Sequence, residues 1–488
     1  MWPLLRLLPI SLLLVGFRPP SRNTQGFVSP ANGEYSLPAL ELLSCIKGAT
    51  FDALPSDTLP QLVPFRASKH LWELQGVRRS DAVVAVRRAV LCHSLFEALG
   101  EGGESVEAAA LSAANHAAIT PGALEGDAAF AAAGVMVAWF GSTAFEDPHL
   151  DMPTLHPGKE ELRRRTAVWR HATTGGAAGM SLPCSLEVFC RNTSQTAASD
   201  SQVVAAWHLF AQRLAFGPAV DAATGSVASS LSLRRPRAGI LRTLARHGRR
   251  GLVKTSLEPE LALTMANLAA IGNHGPRQRV LDPFTGSASI LMAAAFLGNG
   301  AGRMVGVDAA AFRDQPSLAA DVVADWRRLG IHPLPRLATG NILEWDVPGS
   351  TFVEAAGEAL FDAIITDPPY GIGATPFVQP VGGTEAGEEP RSPEKKSLRE
   401  LYRHDDVRRL FAALLLLAAQ KLRSGGRLVF FCPEPFLSEF DGEGGASDHR
   451  GGLFLGLPLP EPLVLLHAQR QIFRGGTFSR LLVVVEKA

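Results

Sequence analysis

From Glu258 onward the chain alternates short apolar runs with stretches of helical periodicity, and this alternation restricts the fold more than any other feature. Residues 258–272 read as a helix, with Pro259 suited to its first turn. Residues 279–282 form a strand, 286–297 a loop passing into a helix, 304–308 a second strand and 318–329 a helix. Residues 336–338 and 361–366 are the next strands, and a helix from about 406 to 422 is stopped by Ser424-Gly425-Gly426. Strands at 427–431, 463–466 and 481–485 complete the series. Strands linked through helices predict a parallel sheet, because parallel neighbours need a crossover. The last two have no long helix between them and are expected to form an antiparallel edge. The predicted fold is α/β: a doubly wound, mostly parallel, seven-stranded Rossmann-like sheet with that edge, preceded by an α+β N-terminal region.

Two constellations sit at strand ends. The first is Val280-Leu281-Asp282-Pro283-Phe284-Thr285-Gly286-Ser287-Ala288-Ser289, a strand closing on an acid, a small-residue loop and then a helix. Such a loop lets a ligand approach backbone and helix N-terminus closely. Asp308 ends the next strand about 20 residues on, where a carboxylate can accept hydrogen bonds from both hydroxyls of a ribose. The pair suits an adenosyl ligand, and the missing Gly-x-Gly-x-x-Gly counts against a dinucleotide.

The second is Asp367-Pro368-Pro369-Tyr370, directly after the strand at 361–366. Two prolines cannot extend a strand or enter a helix, so they fix a rigid backbone at the sheet edge. This pattern suits a planar amine, a poor nucleophile because its lone pair is conjugated with the ring. A carboxylate and a carbonyl accept its two N–H bonds and favour a pyramidal nitrogen, while Tyr370 stacks on the flat ring.

These motifs together resemble the class I S-adenosylmethionine-dependent amino-methyltransferases. More narrowly, Lys254-Thr255-Ser256-Leu257 with Leu263-Thr264-Met265-Ala266-Asn267, and the tail from Phe478 to Lys487, are similar to the THUMP-type tRNA (guanine-10 N2)-methyltransferases. The likeness covers residues 252–488 outside a Pro/Gly/Glu-rich loop at 374–396, and is faint before that. It implies S-adenosyl-L-methionine as cofactor, tRNA as substrate and a small zinc-binding activator subunit as a partner. Carried over by position, Asp282, Phe284, Gly286 and Ser287 line the cofactor, Asp308 holds its ribose and Asn341 lies near its adenine. Thr255 and Ser256 lie near the methionyl end. Asp367, Pro368, Pro369 and Tyr370 handle the guanine amine. Two departures stand out. Ala288 replaces a glycine, which is tolerable only at negative φ, and Asn341 replaces an acid.

The rest of the chain is less telling. Residues 1–33 hold Arg6, Arg18, Arg22 and an apolar stretch too short to span a bilayer, and read as a targeting leader or as a frayed extension. The resemblance implies a cytoplasmic protein, and the leader raises a plastid or mitochondrion as the alternative. Residues 34–225 form the expected RNA-gripping region, with a helix at 81–99 and a strand near 135–140. Residues 226–253 form a basic linker, and 254–488 the catalytic domain. Lys+Arg and Asp+Glu balance at 47 each, so RNA contact must come from a local patch. Residues 222–257 hold seven arginines and Lys254 without one acid, and Arg234, Arg235, Arg237 and Lys254 are the candidate phosphate contacts. Five scattered cysteines without a Cys-x-x-Cys pair predict no zinc site within the chain and no disulfide framework. No apolar run is long enough to predict a membrane span. Alternatives are an rRNA or other nucleic-acid amino-methyltransferase, a protein-glutamine methyltransferase (disfavoured by Asp367), and a decayed RNA-binding scaffold.

Overall fold

The computed structural model describes residues 13–17, 27, 36–46, 60–64, 71–98, 136–141, 186–191, 201–211, 241, 244, 249–252, 256–273, 278–297, 303–309, 311–369, 404–433, 453–454, 457–472 and 479–488. The chain divides into two compact units, one of Met1–Ser21 with Pro38–Ala238 and the other of Arg22–Leu37 with Gly239–Ala488.

The first unit contains β1 (Leu13–Phe17), α1 (Leu37–Ser44), β2 (Gln61–Pro64), β3 (Leu71–Gln75), α2 (Arg79–Arg88), β4 (Cys92–Ala98), β5 (Met136–Gly141), β6 (Leu186–Arg191) and β7 (Ser201–Ala211). Its sheet has the order β2-β3-β1-β4-β7-β6-β5, antiparallel except for the β5–β6 pair. Part of the apolar stretch read as a leader therefore supplies an interior strand. Leu13, Val15 and Phe17, alternate residues that share one face, are buried. The helix expected over 81–99 is corrected: α2 stops at Arg88 and the chain turns into β4. Fully buried Glu41 on α1 accepts the backbone N–H of Val90 at 2.7 Å and of Leu91 at 2.8 Å. A carboxylate taking both donors leaves no helical ladder to continue there.

The second unit contains α3 (Pro259–Leu268), β8 (Arg279–Asp282), α4 (Ser289–Phe296), β9 (Arg303–Asp308), α5 (Ala311–Asp314), α6 (Pro316–Arg328), β10 (Arg336–Thr339), α7 (Thr351–Ala356), β11 (Phe361–Thr366), α8 (His404–Lys421) and β12 (Leu422–Pro433). These are followed by β13 (Leu453–Phe454), β14 (Leu457–Pro458), β15 (Leu463–Ile472) and β16 (Ser479–Lys487). The main sheet runs β10-β9-β8-β11-β12-β16-β15. Its first five strands are parallel, and β16 and β15 are antiparallel to their neighbours. The expected doubly wound sheet with an antiparallel edge is the one observed. Phe352, Phe361, Phe411 and Phe430 are fully buried in one cluster with Leu281, Ile364, Leu414 and Val483. Each such side chain contributes about 1.5–3 kcal/mol, which holds the strand ends in fixed register. Among the described residues, no helix is long and apolar enough to cross a membrane.

Candidate active site

The chain winds from β8 through β9 to β10 in one direction, then places β11 and β12 on the other side of β8. The order reverses between β8 and β11, and in open α/β sheets ligands bind outside the carboxyl ends of strands at such a point. Three acids arrive there from three adjacent strands: Asp282 ends β8, Asp308 ends β9 and Asp367 follows β11.

Asp282 is buried, and its Oδ1 accepts a 2.7 Å bond from Thr366 Oγ1 and a 3.1 Å bond from the Phe284 N–H. The Thr366 bond joins the two sequence motifs, since Thr366 immediately precedes Asp367. Burial lifts the Asp282 carboxyl to about 7; the two hydrogen bonds oppose this, while Asp308 and Asp367 add to it. From about pH 4 to 7 the folded domain thus holds a proton that the unfolded chain releases. The stability this proton confers is complete below pH 4 and is lost as pH rises through 7. Asp282→Asn keeps an acceptor for both donors but cannot ionise. It is expected to exceed the wild type in urea-unfolding stability by about 2–4 kcal/mol at pH 8, with the gap closing toward pH 4.

The loop after β8 is drawn against β9. Thr285 N–H donates to Val307 O at 3.0 Å, and a β-carbon on Gly306 would meet Thr285 Oγ1 at 2.6 Å, so this approach requires glycine. Gly286 has φ +44°, with open space where a side chain would stand. Its N–H donates to Asp308 Oδ2 at 2.9 Å, and Ala311 N–H donates to Asp308 Oδ1 at 2.7 Å, fixing that carboxylate at the loop mouth.

Ala288, the residue before α4, has φ 55° and ψ 29°. The negative φ that would have made its methyl innocuous is not what is found. The left-handed region costs an L-residue about 1–2 kcal/mol, and here the surrounding bonds enforce it. Ala288→Gly is expected to leave stability within about 1 kcal/mol, because relief of strain is offset by a lost buried methyl and a more flexible unfolded chain. A β-branched residue meets the same backbone with added crowding. Ala288→Val should therefore cost more than about 2 kcal/mol in the denaturant midpoint.

Arg249 enforces the loop. Its side chain is 1% exposed, and its Nη1 donates to Ser289 Oγ at 2.8 Å while Nη2 donates to Ser287 O and, at 3.3 Å, to Gly251 O. Its Nε lies 3.7 Å from Asp325 Oδ2 on α6, and Asp325 also accepts the N–H groups of Arg250 and Gly251. Burial pulls the guanidinium down to about 10, opposed by Asp325, so it is cationic at neutral pH. One arginine of the acid-free stretch is therefore an internal brace. Ser256 Oγ donates to Ser287 Oγ at 2.7 Å, bringing two of the sequence candidates together.

Asn341 Oδ1 accepts the Leu343 N–H at 3.0 Å and caps a short 3₁₀ turn beyond β10. That cap is a local reason for asparagine in place of an acid, and it leaves the amide N–H₂ for other partners. Phe284 and Pro369 are half-buried and Pro368 is buried. Tyr370, Thr255, Lys254, Arg234, Arg235 and Arg237 lie outside the described residues.

Two further residues that sequence reasoning passed over belong here. One is Thr366. The other is Arg480 on β16, whose Nη1 lies 3.5 Å from Asp367 Oδ2. The signals for Arg480 were its place in the family-like tail from Phe478 to Lys487 and its charge just before an apolar run. Among the described residues, no group of three His, Cys, Asp or Glu side chains could hold a metal.

Residues 246–376 match the family described as RMKL-like, methyltransferase domain. This stretch is similar to that methyltransferase domain. Its span covers the Arg249 brace, all three acids and the Pro-Pro segment. A tRNA (guanine(10)-N(2))-methyltransferase TRMT11 of Dictyostelium discoideum is 32% identical over 195 residues, covering 38% of this chain and 34% of the relative. A tRNA (guanine(10)-N2)-dimethyltransferase of Methanothermobacter thermautotrophicus is 32% identical over 120 residues, covering 25% and 29%. The chain thus spans about a third of the length of the curated relatives it matches. The crystal structure of TrmN from Thermus thermophilus aligns over 98% of this chain and 100% of its own, at 17% identity and a TM-score of 0.38.

Proposed function

We propose that this protein transfers a methyl group from S-adenosyl-L-methionine to the exocyclic N2 of a guanosine in tRNA. The observation that carries the reading is the Thr366–Asp282 hydrogen bond, which sets Asp367 beside the small-residue loop.

The residues fit the cofactor. Two backbone N–H groups hold the Asp308 carboxylate at the loop mouth, where a carboxylate can accept from ribose hydroxyls. Gly286 leaves a side-chain-sized opening in the loop. Asn341 would offer its amide N–H₂ to the adenine, and the resemblance assigns Thr255 and Ser256 to the methionyl end. When bound, the cofactor supplies a methyl group on a positively charged sulfur that leaves readily, so the protein's share is positioning and electrostatics. Asp367 and the Pro368 carbonyl accept the two N–H bonds of the amine, and Tyr370 supports the ring. Once methylated, the nitrogen would shed one proton, which Asp367 would accept and pass to water. A base in a stem must swing out to be treated this way. Arg234, Arg235, Arg237 and Lys254 would hold phosphates meanwhile, giving register without reading sequence.

The names of the relatives support guanosine N2 in tRNA. A zinc-binding activator subunit, and a cytoplasmic or organellar address, come from the resemblance and the leader alone. The test is to incubate the purified chain with methyl-labelled cofactor and tRNA, digest the RNA and identify the nucleoside. N2-methylguanosine is expected, and label on an adenine or cytosine amine overturns the reading. Label appearing only after addition of a zinc-binding subunit would identify that partner.

A further inference from the structure

β16 runs antiparallel to β12, so it begins at the edge where the parallel strands end. Its second residue, Arg480, pairs in register with Pro433 of β12 and Gln471 of β15. The side chain is 6% exposed. Its Nε donates to Gln471 Oε1 at 3.0 Å, and its guanidinium carbon lies 3.6 Å from the centroid of the Phe431 ring. A guanidinium held both at its face and at its Nε has one orientation left. That orientation presents Nη1 to Asp367 Oδ2 at 3.5 Å, across 113 residues of chain. Replacing both members of a buried ion pair by well-packed apolar side chains is often neutral or stabilising. The cost of burying the arginine therefore calls for a purpose beyond stability.

We propose that Arg480 is the positioning residue for Asp367: clamped by Phe431 and Gln471, it keeps the carboxylate in one orientation against the substrate amine. Arg480 touches no reacting atom and acts through the acid. The inference rests on the methyltransferase reading above and adds to it a determinant on β16, outside residues 246–376.

The test compares wild type, Arg480→Met, Arg480→Lys and Gln471→Ala by kcat and KM for tRNA, by calorimetric titration with S-adenosylhomocysteine, and by thermal unfolding. Misplacing a reacting group by an ångström costs about 10²-fold. Arg480→Met should therefore lose about 10²-fold in kcat, with KM and S-adenosylhomocysteine affinity within threefold of wild type. Arg480→Lys should recover part of the loss, and Gln471→Ala, which keeps the charge but frees the guanidinium, should lose about tenfold in kcat. An unchanged kcat in a folded Arg480→Met overturns the proposal, and so does a loss that falls on KM or on S-adenosylhomocysteine binding. Should the methionine variant not fold, Gln471→Ala decides: a lower kcat at constant KM supports the proposal, and a wild-type kcat overturns it. A wild-type protein that methylates no RNA refutes the underlying reading, and this inference with it. An active wild type with an indifferent Arg480 refutes the inference alone.

Discussion

Asp367→Ala is expected to lower turnover by at least about 10²–10³-fold, while tRNA affinity and S-adenosylhomocysteine affinity stay near wild type. The magnitude is that of removing one preorganised group aimed at charge developing in the transition state. The selectivity follows from where Asp367 stands. Its carboxylate is 19% exposed, just past the end of β11, and is paired with Arg480, whereas the loop is tied to Asp308. Removing it leaves the Thr366–Asp282 bond, the Gly286–Asp308 bond and the Arg249 brace in place. It also leaves Arg480 as a buried cation, so a modest drop in melting temperature accompanies the lost turnover. Single-turnover rates with saturating tRNA, set beside calorimetric titrations, separate the two effects. Unchanged single-turnover rates would remove Asp367 from the chemistry.

The second large effect is on stability. Arg249→Met is expected to cost about 3–5 kcal/mol, the range for removing one partner of a buried ion pair. Asp325 is as buried as Arg249, and after the substitution it keeps backbone donors and Arg328, whose Nη2 is 3.6 Å away on a half-exposed side chain. Ser287 O and Ser289 Oγ lose their shared donor at the same time. These are the bonds that hold Ala288 in the left-handed region, so the loop should relax and S-adenosylhomocysteine affinity should fall with stability. Domain stabilities are about 5–15 kcal/mol, so the loss is readable as a shift in urea midpoint at constant slope. A variant carrying both Arg249→Met and Asp325→Asn should recover part of it, because no buried charge is then left uncompensated. A fall below about 1 kcal/mol in Arg249→Met would mean that the pair is a bystander.

The C-terminal sheet was legible because its strands and helices repeat a pattern that only a wound α/β fold satisfies. Asp282, Asp308 and Asp367 were legible because each stands where an apolar strand ends. Pairings between distant residues were not. Arg249 reads as one more solvated charge in a basic stretch, and nothing in the sequence says that Asp325, 76 positions on, is buried against it. Arg480 and Asp367 meet only because β16 reverses direction. At 81–99 the apolar spacing suits a helix throughout, and the change to a strand at Cys92 depends on Glu41, half a sheet earlier in the chain. Leu13–Phe17 was set aside for its composition, yet its alternate residues are those of a buried strand. At Ala288 the residue type argued for negative φ, and a network of side-chain bonds overrode it.

The reading turns on an acid acting on a planar exocyclic amine, and the most direct measurement removes that amine. Two tRNA transcripts, one with guanosine at the modified position and one with inosine, which lacks the N2 group, are offered to the wild-type protein with methyl-labelled cofactor. The expected result is N2-methylguanosine from the first and no label from the second, with equal RNA affinity for both. Label on the inosine transcript at that position would contradict it.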